Sequence, residues 1–303
     1  VERLDDQVDA VISGHTHEAY NCVIDGIPVT SASSFGRLVT DMDLTIDRRT
    51  KRITSISVDN RIVTRDVEPA AGIDALIARY EELSAPLANR VVGRVTADIT
   101  RAPNAAGESA LGDVIADSQL AATAPEHLGG AEVAFMNPGG IRADLLYAPS
   151  GAEGPGEVTY EEAFTVQPFG NSLVTVTLTG AQIERLLEEQ FCGVNAGAPR
   201  VLQPSAGFSY TWSASGVGAA DCDTADAVDP ATITLGGEPV DPAGTYRVTV
   251  NSFLATGGDG FAVLNEGTDR LGGALDLDAL EAYLSAAPDG VAPGPQDRIT
   301  VVA

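Results

Sequence analysis

Lysine is all but missing from this 303-residue sequence. Lys51 is the single one, and lysine plus arginine number 18 against 43 acidic residues, a formal net charge of −25. A surface of that sign repels polyanions, so nucleic acid polymers, anionic membranes and heparin are poor partners for the surface as a whole. An anionic ligand has to be held locally, by arginine or by metal, against that field. Long apolar runs are missing too: no stretch reaches the ~18 apolar residues a membrane-spanning helix needs. Cysteine is scarce, and Cys22, Cys192 and Cys222 show no Cys-x-x-Cys spacing, which argues against a zinc cage. The opening residues Val1-Glu2-Arg3-Leu4-Asp5 have neither the basic start nor the apolar core of a signal peptide, and with no initiator Met the chain reads as a piece of a longer protein.

What is present is the composition of a folded protein, 44% hydrophobic and 20% charged, long enough for one large domain or two modest ones. Residues 8–13 form a short apolar run ending at Gly14, expected as a buried strand entering a loop. Residues 22–24, 28–31, 38–46 and 53–58 continue as strands, with turn signals at Asp25-Gly26 and Phe35-Gly36. This block, residues 1–65, has too few elements to close a core and reads as the tail of a larger α/β domain. From residue 72 the period changes: Ile73, Leu76, Ile77, Tyr80, Leu83 and Leu87 fall at helical spacing, a linker helix within residues 66–90.

Residues 91–303 mix strands and helices without alternation, which predicts an α+β domain. Helices are expected over 108–122, after Thr159 and after Thr179. The last two are marked by capping boxes with Glu162 and Gln182, and another helix is expected behind Asp278. Phe208, Tyr210 and Trp212 alternate as sheet core, as do Tyr246, Val248 and Val250. Asp113 and Asp117, one helical turn apart, are expected on a solvated helix face, and His127 on the surface. Cys192 at a helix end and Cys222 in a loop suit a disulfide formed in an oxidising compartment, leaving Cys22 as a buried free thiol.

Two of the three histidines stand in Ser13-Gly14-His15-Thr16-His17. Imidazoles are good ligands for borderline divalent ions, and a glycine behind a strand lets the backbone turn and present both rings. This motif resembles the last ligand motif of calcineurin-like metallophosphoesterases. Asp25-Gly26-Ile27-Pro28-Val29 and Ser34-Phe35-Gly36 are similar to the stretch that follows it in 5'-nucleotidases and UDP-sugar hydrolases. The resemblance continues through Asn137-Pro138-Gly139-Gly140-Ile141-Arg142, Gln167-Pro168-Phe169-Gly170-Asn171 and the run from Asn251 to Phe261 that contains Gly257-Gly258-Asp259-Gly260.

The resemblance implies a 5'-nucleotidase C-terminal domain fold, preceded by the final strands of a metallophosphoesterase domain. It implies that His15 and His17 each ligate one of two divalent metals, zinc or manganese. It further implies that Asn137 and Arg142 contact the nucleotide, that Phe169 and Phe253 sandwich its base, and that Asp259 accepts hydrogen bonds from the ribose hydroxyls. One family arginine has no match: Gly107 stands near its place, with Arg101 as a substitute. The remaining metal ligands of the family lie upstream of residue 15, so the chain alone is expected to bind a nucleoside or nucleotide without hydrolysing a phosphate ester, since a catalytic metal takes about three protein ligands. In the complete enzyme the implied reaction is hydrolysis of a nucleoside 5'-phosphate. A UDP-sugar hydrolase, a 2',3'-cyclic nucleotide phosphodiesterase or a non-catalytic nucleotide-binding module stays open, with an extracellular or cell-envelope location.

Overall fold

A computed structural model describes residues 1–303 except Glu2, Asp6 and Ala303. The chain divides into two compact units, Val1–Arg79 and Tyr80–Ala303, the boundary falling inside helix α1 (Ala71–Ala88). The six apolar residues that predicted α1 all lie exposed.

In the first unit, strand Ile27–Ala32 pairs parallel with Val11–Ile12 and antiparallel with Ala19–Ile24. The predicted turn at Asp25-Gly26 closes that hairpin with φ of 51° and 82°, the left-handed pair that a two-residue hairpin loop requires. Strands Leu38–Ile46 and Ile53–Ile62 form a second hairpin, tied to the first by Asn60, whose Nδ2 donates to the carbonyls of Tyr20 and Ser31 at 3.0 Å each. Two expectations fail here. Strand Val11–Ile12 is not buried, Ile12 being 75% exposed. Cys22 is free but exposed, because its strand forms an edge of the three-stranded sheet and all but one of that strand's residues face outward.

The second unit is α+β, as its mixed pattern predicted. Its central sheet runs in the order Gln203–Pro204, Val133–Met136, Thr245–Asn251, Ser172–Thr179, Thr268–Leu275. Alternation along the strands sends Val133, Phe135, Val174, Val176, Leu178, Val248 and Val250 into one core, shared with a second sheet built on strand Phe208–Ser213. On the opposite face Thr175 and Thr249 share a hydroxyl hydrogen bond of 2.7 Å, and Thr249 meets Thr123 of helix α2 (Ala110–Thr123) at 2.8 Å. Helix α2 builds a second core together with α3 (Tyr160–Val166) and α5 (Asp276–Ser285).

Both predicted capping boxes form, Thr159 with Glu162 at α3 and Thr179 with Gln182 at α4 (Gly180–Glu188). Each satisfies two amide groups that a helix start leaves without partners. The expected start of the last helix is corrected: α5 opens at Asp276, and Asp278 lies inside its first turn. Cys192 and Cys222 are disulfide-bonded, their Cα atoms 5.2 Å apart.

Asp113 and Asp117 do not occupy a solvated face. Asp113 is 1% exposed, and Glu108 beside it is fully buried. The reason lies 185 residues along the chain. Arg298 forks onto both carboxylate oxygens of Asp117 at 2.8 Å, with its Nε 3.9 Å from Asp113. The backbone N–H groups of Arg298 and Ile299 donate to Glu108 at 3.1 and 2.9 Å. Three carboxylates around one guanidinium leave an excess of negative charge in a low-dielectric site. Burial pushes the Asp113 carboxyl up to about 8, opposed by Arg298 and reinforced by Glu108 and Asp117.

Because the folded value lies above the ordinary 3.8, the contribution of protonated Asp113 to stability is complete below pH 3.8 and is lost as pH rises through about 8. Asp113→Asn, neutral at every pH, is therefore expected to gain on the wild-type chain in urea stability between pH 5 and 8. Parallel pH profiles for the two proteins would show that folding does not raise the Asp113 carboxyl above its ordinary range, and would overturn this assignment.

Candidate functional site

The parallel strands Val133–Met136 and Thr245–Asn251 end side by side, and strand Ser172–Thr179, antiparallel to the second, begins at the same edge with Leu173 opposite Asn251. Carboxyl ends of parallel strands are where α/β sheets leave room for ligands. The sequence puts its motifs there. Asn137 follows the first strand, Phe253 follows the second, and Phe169 precedes the third. Ser252 locks the last two segments together: its N–H donates to the Ser172 carbonyl at 2.8 Å and its hydroxyl to Asn171 Oδ1 at 3.2 Å. The loop after Asn137 is hooked to the end of α3 by the Arg142 N–H, 2.9 Å from the Val166 carbonyl.

The polar centre is a directed chain of side-chain amides. Leu254 N–H donates to Asn251 Oδ1 (2.9 Å), Asn251 Nδ2 to Asn137 Oδ1 (2.9 Å), and Asn137 Nδ2 to Asp259 Oδ2 (2.8 Å). A backbone N–H can only donate, so each amide in turn has one orientation, and the chain must end on an acceptor. Asn137 and Asn251 are 3% and 1% exposed, which makes an unpaired atom there costly. Asp259 itself sits in the left-handed region at φ 58°, between Gly257 and Gly260, which are left-handed as well. Its other oxygen takes Arg200 Nη1 at 2.6 Å.

The two phenyl rings are half exposed, Phe169 at 57% and Phe253 at 45%. Neither pairs with another aromatic ring among the described residues. Arg142 lies over the Phe169 ring, 5.7 Å from its centroid, and donates to the Gly139 carbonyl at 3.2 Å. Gly258 lies against Phe253: a Cβ at that position would come within 2.6 Å of the ring.

Gly107 has φ 88°, and a Cβ there would come 2.6 Å from a Val201 methyl, so a side chain at this position is strained. Arg101 donates to the Ile141 carbonyl at 3.2 Å and lines a cleft of about 380 Å³ with Ser109, Pro138, Ile141 and Asp144. That cleft flanks the Asn137–Arg142 turn and includes neither phenyl ring.

Residues 91–266 match the family described as 5'-nucleotidase, C-terminal domain. The chain belongs to that family. Endonuclease YhcR of Bacillus subtilis strain 168 is 28% identical over 98% of the chain and 22% of its own length. Cell wall protein Lmo0130 of Listeria monocytogenes is 32% identical over 95% of the chain and 36% of its own length. The crystal structure of a 5'-nucleotidase precursor from Thermus thermophilus superposes with a TM-score of 0.69 at 27% identity, covering 97% of this chain and 59% of that one. The chain thus spans 22% and 36% of these curated relatives' lengths. Its fold is the 5'-nucleotidase C-terminal domain fold.

Asn137, Arg142, Phe169, Phe253 and Asp259 therefore come together at one sheet edge of the family domain. His15 and His17 lie in the other unit. The backbone turns directly behind Gly14, whose carbonyl accepts from the Thr16 N–H at 2.9 Å; His15 and His17 adopt left-handed φ of 72° and 61°, and His17 meets Phe35 edge-on at 5.9 Å. Among the described residues no group of three or more His, Cys, Asp or Glu side chains is placed to hold a metal. Two imidazoles by themselves are too few donors to hold a catalytic ion.

Two residues of the site carry no sequence signal: Arg200 and Asn195, whose Nδ2 donates to the Asp259 carbonyl at 2.9 Å. Their contacts, 59 and 64 residues apart, leave no local pattern. Asn251 heads the Asn251–Phe261 motif, but its role in the polar chain is visible only in the structure.

Asn251→Ala leaves Asn137 Oδ1 and the Leu254 N–H unpaired in a dry site. The expected cost is about 1–3 kcal/mol of urea stability, the penalty for unsatisfied buried groups. The double variant with Asn137→Ala should lose less than the sum of the two single losses. Strict additivity would show that the two amides are not coupled.

Proposed function

We propose that the Tyr80–Ala303 unit binds the nucleoside part of a nucleotide, in a phosphohydrolase that converts nucleoside 5'-phosphates to nucleoside and phosphate. The observation that carries this reading is the convergence of two exposed phenyl rings with an oriented carboxylate at one sheet edge. A flat heterocycle stacked on phenyl faces gains ~1–3 kcal/mol per base with little regard to which base it is. Arg142 next to Phe169 supplies a planar cation for a polar edge or an anionic group. Asp259 keeps an acceptor direction free on each oxygen, which suits the vicinal hydroxyls of ribose.

His15 and His17 belong, in this reading, to a two-metal centre that takes zinc or manganese in the complete enzyme, while the polypeptide described here binds without turning over. An extracellular or cell-envelope setting is supported by the Cys192–Cys222 disulfide and by similarity to a cell wall protein. No helix among the described residues is long and apolar enough to cross a membrane.

Calorimetric titration with adenosine and with adenosine 5'-monophosphate tests the pocket. Phe253→Ala and Phe169→Ala are each expected to weaken binding at least about fivefold, the low end of a stacking contribution. Affinities unchanged in both variants would remove the stacking role. Incubation with adenosine 5'-monophosphate and added zinc or manganese is expected to release no phosphate above the metal-only control. Turnover that a chelator abolishes would refute the non-catalytic half of the proposal.

A further inference from the structure

Arg200 is one of few basic residues in a chain of net charge −25, and it is placed on the acid of the nucleoside site. Its Nη1 lies 2.6 Å from Asp259 Oδ1, with side-chain exposures of 47% for the arginine and 16% for the aspartate. An ion pair whose arginine is half open to solvent contributes modestly to folding, so stability alone is a weak reason for this one. The pair is part of a larger clasp. Asn195, itself 1% exposed, spans from the Glu189 carbonyl to the Asp259 carbonyl, 2.9 Å from each. Gly260 packs so closely on Val194 that a Cβ at 260 would collide with it. The segment 193–200 therefore grips a residue in a left-handed conformation at both its backbone and its side chain. That segment starts directly after Cys192, which the disulfide ties to Cys222.

The consequence concerns the acceptor geometry of Asp259. A carboxylate offers about two lone-pair directions on each oxygen. Asn137 takes one on Oδ2 and Arg200 one on Oδ1. Held by donors on both oxygens, the group cannot rotate about its last bond, and one acceptor direction per oxygen remains. Two fixed acceptors match two adjacent hydroxyls. With Arg200 removed, Asn137 alone holds the group, Oδ1 turns to water, and the second hydroxyl loses its aligned partner.

Resting on the nucleoside reading above, we propose that Arg200 is a positioning residue that makes the site selective for ribonucleosides over 2'-deoxyribonucleosides, by locking the Asp259 carboxylate for bidentate acceptance. Arg200 touches the aspartate and acts on the ligand through it.

The test is titration of adenosine and 2'-deoxyadenosine into the wild-type chain, Arg200→Met, Arg200→Lys and Phe253→Ala. Arg200→Met is expected to weaken adenosine about tenfold, the scale of one charge-assisted hydrogen bond, and 2'-deoxyadenosine by no more than about threefold. Arg200→Lys keeps the charge and is expected to restore part of the ribose preference, and it serves as the test if the methionine variant does not fold. A uniform loss for both ligands would assign Arg200 a merely structural role and overturn the proposal, as would an unchanged preference. Both of those outcomes presuppose wild-type binding that Phe253→Ala weakens. Absence of nucleoside binding to the wild-type chain would instead fell the underlying reading, and this proposal with it.

Discussion

The second unit's site depends on a proton count. Leu254 can only donate, Asp259 can only accept when ionised, and the two buried asparagines between them have a single arrangement that satisfies both ends. Each amide is packed where water cannot substitute for a missing partner. The chain therefore orients the carboxylate and fixes which atom of each amide donates and which accepts. The left-handed backbone at Asp259 is tolerated because its flanking glycines and the Asn195 and Arg200 contacts over-determine it.

That polar chain can exist only because the sheet brings its members together. Asn137 and Asn251 end parallel neighbours, and parallel neighbours need a long connection between them. The antiparallel strand Ser172–Thr179 then delivers Phe169 to the same edge, because its start lies opposite the end of strand Thr245–Asn251. Two cores, one on each face of the sheet, hold this register. A slip of one residue would send Val174, Val176 and Leu178 to the threonine face and would separate the asparagines at the same time. Stability and site geometry rest on the same register.

A similar logic operates around Arg298, which answers Asp117 directly and Glu108 through its backbone, and leaves Asp113 to be neutralised by its own proton. Burying a third carboxylate near one cation is tolerable when the group can take a proton instead of a partner. The first unit presents a different case. Its first hairpin forms with the turn that Asp25-Gly26 announces, yet residues that read as buried, Ile12 and Cys22, are exposed.

Local chemistry was enough, from the sequence alone, for elements whose cause lies within a few residues. The capping boxes at Thr159 and Thr179 close within one helical turn, the Asp25-Gly26 hairpin is set by left-handed backbone preference, and the alternation of strands 208–213 and 245–251 follows the pleat. The motifs around Asn137, Phe169, Phe253 and Asp259 stand out through their resemblance to the 5'-nucleotidase family, since each by itself reads as an ordinary turn, loop or core segment. What the tertiary structure alone decided are the pairings across long separations. These are Arg200 on Asp259, Asn195 on the same residue, Arg298 among three carboxylates, and Val201 against Gly107, where a side chain would be strained. Periodicity carries information over one or two turns of a helix. The partner of a charge, and the volume left beside a glycine, are set by whichever distant segment the packed core brings alongside.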